Sequence, residues 1–244
     1  MTWKEAIRKI CWTLHLDLTQ NMRYDRATHA FLSYRLRADS NTIDVGCHKG
    51  EVLEWMIQFA PQGNHWGFEP IPSMAQDLRS KFQQGNVFIK ELALSDNNEK
   101  TTFHWVKNAP AYSGLKRRTY ALEHPEIERI EVQCARLDDV CTLPKVDLIK
   151  IDVEGGEWQV LQGGETIINR DHPDIIFEFG KGASEFYQTT PEMIFDFFDN
   201  KGYQLFPLNA GWKKMEPLTK EELATCFESG SVYYFFASIA PYKN

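Results

Sequence analysis

The segment Ile43-Asp44-Val45-Gly46-Cys47-His48-Lys49-Gly50 constrains this chain more than any other. An apolar run of strand length ends in a glycine, three residues and a second glycine, and apolar residues then recur at helical spacing at Val52, Trp55, Met56 and Phe59. A strand that turns at once into a helix predicts the first half of a βαβ unit, and so a mostly parallel sheet. The alternation continues downstream, with strands predicted at 42–46, 65–69, 87–92, 146–153 and 174–178. Met74, Leu78 and Phe82 mark a helix opened by Pro72 and Ser73, and Met193, Phe197 and Phe198 mark another after Pro191. The helical run 159–168 contains Gly163 and Gly164, which predicts a kink or a break. Runs 203–208 and 232–237 are expected to finish the sheet as a long-connected antiparallel pair. The fold class is α/β, Rossmann-like and doubly wound.

The flanks and the one long connection complete the organisation. Trp3, Ile7, Ile10, Cys11 and Leu14 predict one helix, and Tyr24, Ala27, Ala30, Phe31 and Tyr34 a second, so residues 1–40 read as a helical extension to a single domain over 41–244. Between the third and fourth strands, 101–106 and 130–137 alternate like a hairpin around the stretch 108–125. Connections of that length are usually functional, and the region 96–145 is read as a hairpin with a mobile acceptor-side lid.

Composition removes several functions. A net charge of -7 argues against a broad basic surface for nucleic acid, although Lys116, Arg117 and Arg118 form a local patch. The 5 cysteines are scattered, with no CxxC pair, and read as reduced thiols rather than zinc ligands. Lys4, Glu5, Arg8 and Lys9 interrupt any signal-peptide core, and no run approaches membrane-spanning length, so a soluble, cytoplasmic protein is expected.

Three segments carry chemistry. Gly46 and Gly50 let the backbone turn sharply and approach a ligand, and the spacing differs from the Gly-x-Gly-x2-Gly of dinucleotide sites, with His48 where the middle glycine would fall. Phe68-Glu69-Pro70 puts a carboxylate at the end of the next strand, where it can accept both hydroxyls of a ribose and repel a phosphate. A nucleoside without phosphate at that position fits, and S-adenosylmethionine is one. The run Asp147-Leu148-Ile149-Lys150-Ile151-Asp152-Val153-Glu154-Gly155-Gly156-Glu157 places Leu148, Lys150 and Asp152 on one face of a buried strand, where Lys150 and Asp152 can support each other.

In order, DVGCHKGE, FEP, LALSD, VDLIKIDVEGGEWQVLQGG and PDIIFEF, covering residues 41–179, resemble the FkbM-type family of S-adenosylmethionine methyltransferases. The resemblance implies a class I fold with a seven-stranded sheet and O-methylation of a sugar, glycan or natural-product acceptor, with S-adenosylhomocysteine as product. It carries donor binding onto Asp44, Gly46, Gly50 and Glu69, with Cys47 and His48 in the same turn, and sets Ser95 and Asp96 near the adenine edge. The Cys47-His48-Lys49 triplet departs from the small or amide residues more usual there.

Removing the acceptor proton needs a base within hydrogen-bond reach, and Asp152, Glu154 and Glu178 follow the fourth and fifth strands. Each has another reading: Asp152 holding the methionine end of the donor, Glu154 bonding loop backbone, Glu178 pairing with Lys150. A hard cation on Asp152 and Glu178 is possible in principle, but two carboxylates do not demand one, and no metal is expected. His104, His124 and His172 are read as surface or structural residues; Trp105 suits core packing and Tyr112 stacking on an acceptor. A nicotinamide-dependent sugar-modifying enzyme is disfavoured by the missing glycine. A non-catalytic scaffold would be expected to have lost Gly46, Gly50 and Glu69, and all three are present.

Overall fold

The computed structural model describes residues 19–239 apart from 121, 210 and 215. The first expected helix, with Trp3 to Leu14 on its face, lies outside the described residues. The second is α1 (Gln20–Arg35), opened by Thr19, whose side chain accepts the Met22 N–H, and burying Tyr24, Ala27, Thr28, Phe31 and Leu32 at helical spacing.

The chain then alternates through β1 (Thr42–Val45), α2 (Glu51–Phe59), β2 (His65–Phe68), α3 (Pro72–Lys81) and β3 (Val87–Lys90). After the excursion described below come β7 (Leu148–Ile151), α5 (Glu157–Gly163), α6 (Glu165–Asp171), β8 (Asp174–Glu178), α7 (Pro191–Asp199), β9 (Gln204–Pro207), α8 (Lys220–Ser229) and β10 (Tyr234–Ser238). The main sheet has seven strands in the order β3-β2-β1-β7-β8-β10-β9. β10 runs antiparallel between β8 and β9, and the other neighbours are parallel. The sequence switches direction between β3-β2-β1 and β7-β8, and this switch point puts a crevice over the carboxyl ends of β1 and β7.

Both faces of the sheet are covered. One core holds Ile43, Ile149, Ile151, Ile175, Phe177 and Phe198, and the other Phe31, Leu53, Met56, Leu148, Ile176 and Phe236. Period-two alternation explains why Leu148 and Ile149 serve opposite cores. Ile194, rather than Met193, is the fully buried partner of Phe198 on α7. The helical run is interrupted at Gly164, between α5 and α6, and position 163 must be glycine because a Cβ there would stand 2.0 Å from the Ser95 carbonyl oxygen.

The excursion consists of β4 (Ala93–Leu94), β5 (Lys100–Val106), β6 (Ile127–Ala135) and a single turn, α4 (Leu137–Val140). β5 and β6 pair antiparallel, and β4 pairs parallel to β6 to give a second, three-stranded sheet. The expected third strand over 87–92 therefore ends at Lys90, and the chain reappears as β4 in another sheet. Residues 107–126 return against this sheet through a 3-10 turn at Pro110–Tyr112 and a bridge between His104 and Gly114. Cys47, Cys134, Cys141 and Cys226 are free thiols. Among the described residues no helix is long and apolar enough to cross a membrane.

Candidate active site

A cavity of about 1000 Å³ opens above the carboxyl ends of β1, β2, β7 and β8. Its first wall is the turn after β1. Gly46 has φ +79°, and a Cβ there would lie 1.9 Å from the Asp152 carbonyl oxygen, so only glycine lets this turn pass the end of β7. The N–H groups of Gly46 and Cys47 both donate to the Phe68 carbonyl, at 3.0 and 3.1 Å, locking the turn to β2.

Glu69 joins the same two segments. Its Oε2 accepts the His48 N–H at 3.0 Å, and its Oε1 the Ile71 N–H at 3.0 Å. Burial pushes its carboxyl up to about 7, against those two bonds and the charge of Lys150. Ile71, Met74, Leu94 and Phe103 extend this wall as an apolar shelf.

Beneath the turn lies a buried cation. The Lys150 Nζ is 3.3 Å from Asp44, 3.6 Å from Asp152 and 3.1 Å from the Gly46 carbonyl oxygen, to which it donates. Burial alone would lower the Lys150 pKa, but Asp44 and Asp152 outweigh it and hold the ammonium charged. One side chain thus couples the floor of the glycine turn to the acids after β7.

The opposite wall carries Asp152, Glu154 and Glu178, with ligand oxygens all within 4.8 Å of one another. Such a set suits a divalent cation's oxygen preference, and each of the three acids also has a protein partner. Burial would raise the Asp152 carboxyl, but Lys150 and hydrogen bonds from Glu178 and Tyr234 hold it below the usual range. Glu178 is pushed well up by burial and then by the Asp152 charge, so within this coupled pair it is the carboxyl that favours the proton. Glu154 forms an ion pair with Arg118 of the 107–126 segment, and the Arg118 guanidinium also lies over the Tyr112 ring.

Of the residues expected from sequence, Gly46, Cys47, His48, Glu69, Asp152, Glu154 and Glu178 line this cavity together. Asp44 lies behind the turn on Lys150, fully buried, and Gly50 caps α2. Ser95 and Asp96 line a separate pocket of about 340 Å³ with Gln159 and Gln188. Glu178 faces Asp152, not Lys150. His104, His124 and His172 are absent from the cavity lining; Tyr112 is in it, and Trp105 packs in the small sheet's core. Sequence reasoning missed Arg118 as a partner of Glu154, Glu157 at the loop after β7, and the tyrosines Tyr24, Tyr187, Tyr233 and Tyr234 that wall the acid side. Glu157 stood inside a segment already singled out, but isolated tyrosines on a helix and an edge of alternation give no signal of their own.

Residues 44–205 match the family model described as Methyltransferase FkbM domain. The 2-O-methyltransferase NoeI of Sinorhizobium fredii (strain NBRC 101917 / NGR234) is 28% identical over 148 residues, 55% of this chain and 61% of that one. Methyltransferase 1 of Beauveria bassiana (strain ARSEF 2860) is 26% identical over 158 residues, 57% of this chain and 62% of that one. The match thus spans about three fifths of the length of these curated relatives. A crystal structure of methyltransferase FkbM from Methylobacillus flagellatus KT superposes with a TM-score of 0.56 at 15% identity, covering 92% of this chain and 52% of that chain, and shares the fold. With the matched region running from the acid of β1 into β9 and taking in the glycine turn, Glu69 and all three acids of the far wall, the chain belongs to the FkbM methyltransferase family.

Proposed function

We propose that this protein transfers a methyl group from S-adenosylmethionine to a hydroxyl of a sugar, glycan or natural-product acceptor. The observation that carries this reading is a single cavity with a glycine turn and ribose-type acid on one wall and a proton-accepting carboxylate set on the other. Family membership supports the methyl transfer, and the name of the 2-O-methyltransferase relative supports oxygen as the acceptor atom.

The residues fit the donor. The shelf of Ile71, Met74, Leu94 and Phe103 suits an adenine, and Glu69 retains free lone pairs for ribose hydroxyls after holding its two backbone N–H groups. Gly46, Cys47 and His48 form the turn, Asp44 and Gly50 fix it from behind, and Asp152 faces the methionine end. Ser95 and Asp96 support the shelf from the neighbouring pocket. At about 1000 Å³ the cavity reaches the upper end of the size expected for one small-molecule ligand, which leaves space for an acceptor beside the donor.

When bound, S-adenosylmethionine supplies an electrophilic methyl on a sulfonium. The protein's task is then to hold a hydroxyl oxygen in line with the breaking carbon–sulfur bond and to take its proton as the carbon–oxygen bond forms. Glu178 is the member of the pair that favours the proton, and Asp152 is engaged by Lys150, Tyr234 and Glu178, so we assign proton acceptance to Glu154. Arg118 keeps that carboxylate oriented, and the tyrosines offer faces and hydroxyls to a polyhydroxylated acceptor.

Incubation with labelled S-adenosylmethionine and a panel of glycans, lipids and polyketides, followed by mass measurement, tests the reading. A product heavier by one methyl on oxygen supports it. Tight binding of another nucleotide, with no calorimetric heat from S-adenosylmethionine or S-adenosylhomocysteine, refutes it.

A further inference from the structure

The loop after β7 is held from one side-chain atom. Glu157 is 1% exposed, and its Oε1 accepts both the Val153 N–H at 3.0 Å and the Gly155 N–H at 3.2 Å. Those two donors bracket Glu154, whose own backbone lies in the left-handed region at φ +61°, followed by Gly155 at φ +107°. A non-glycine residue stays in that region only where its surroundings over-determine it. Nothing in the Glu154 backbone itself favours the conformation, so the direction of its side chain depends on the flanking amides as well as on the Arg118 ion pair.

We propose that Glu157 is a positioning residue for Glu154: by accepting the N–H groups on both sides of it, Glu157 fixes the strained turn that aims the Glu154 carboxylate at the acceptor. The N–H groups of Val153 and Gly155 both converge on Oε1, so an amide oxygen in the same place can accept the two of them. Burial pushes the Glu157 carboxyl up to about 7, so the fold tolerates this side chain uncharged. The step from posture to catalysis rests on the assignment of Glu154 as proton acceptor; the posture itself does not.

The test uses the full chain as wild type, Glu157→Gln, Glu157→Ala and Glu157→Asp, alone and with Glu154→Gln. Amide hydrogen exchange across residues 150–158 reads the loop directly. Exchange at Val153 and Gly155 is expected to rise in Glu157→Ala and Glu157→Asp and to stay at the wild-type level in Glu157→Gln. In turnover, misplacing the acid should lower kcat of Glu157→Ala by roughly a hundredfold. Affinity for S-adenosylhomocysteine should hold, Glu157→Gln should restore the rate, and Glu157→Ala should cost nothing further in a Glu154→Gln background. Should Glu157→Ala fail to fold, Glu157→Asp carries the same comparison. Unchanged exchange in the shortened variants, a Gln variant as impaired as the Ala variant, or fully additive losses in the double variant each overturn the proposal. If Glu154→Gln alone keeps full kcat while the exchange pattern appears, the proton-acceptor assignment fails and the positioning of the loop stands.

Discussion

Replacing Glu69 with Gln is the sharpest probe of the donor wall. Each carboxylate oxygen of Glu69 holds one backbone N–H, from His48 and from Ile71. An amide supplies one oxygen and one NH₂, so one of those N–H groups must face a donor, and the ribose loses an ionised partner. A hydrogen bond to a charged group contributes about 1.5–3 kcal/mol, so S-adenosylhomocysteine should bind roughly 10- to 150-fold more weakly.

The pH dependence sharpens this test. With the carboxyl raised by burial to about 7, the protonated form dominates at low pH, and the ionised form that accepts ribose hydroxyls dominates above. Wild-type affinity should therefore rise roughly tenfold between pH 6 and pH 8, and Glu69→Gln should lose that part of the dependence. Stability should move the other way. A carboxyl whose folded pKa exceeds its unfolded value near about 4.3 favours the fold below that value, and the benefit is lost as pH rises through the folded pKa. Isothermal calorimetry at three pH values, with circular dichroism to establish folding, measures both. A folded Gln variant that binds like wild type, or a wild-type affinity that falls from pH 6 to pH 8, would refute the reasoning.

Lys150→Met strands Asp44 and Asp152 without their cation, and urea denaturation should show a loss of about 3–5 kcal/mol, as expected when one member of a buried ion pair is removed. Gly46→Ala forces a Cβ against the Asp152 carbonyl at an unfavourable φ, so the melting temperature should fall and heat with S-adenosylhomocysteine should vanish together. Because Arg118 pairs with Glu154, and Lys150 and the Tyr234 hydroxyl engage Asp152, methyl transfer should keep its rate in excess chelator; a rate abolished by chelation and restored by magnesium would place a cation there.

The sheet was legible because period-two runs and helical spacings alternate cleanly from Thr42 to Glu178, and each βαβ unit has few ways to pack. The glycine turn and Glu69 were legible for a related reason: backbone geometry at a strand end is written in local sequence. Partnerships were not. Glu178 lies beside Asp152 because β7 and β8 are adjacent in register, and Arg118 reaches Glu154 across a connection whose path no periodicity dictates. The family resemblance sets Ser95 and Asp96 near the adenine edge; β4, just before them, pairs in the second sheet, and they line the neighbouring pocket, which shares Leu115 and Tyr187 with the cavity.

Tyr24 stacks on Tyr234 with ring centroids 5.1 Å apart and accepts the Tyr233 N–H at 3.3 Å, while the Tyr234 hydroxyl donates to Asp152. α1 and the β10 segment therefore meet at Asp152, and both lie outside the stretch 44–205 that matches the family model. A fragment trimmed to that stretch would lose the aromatic brace behind Asp152 together with β10, which stands inside the main sheet between β8 and β9, so it should not hold the fold.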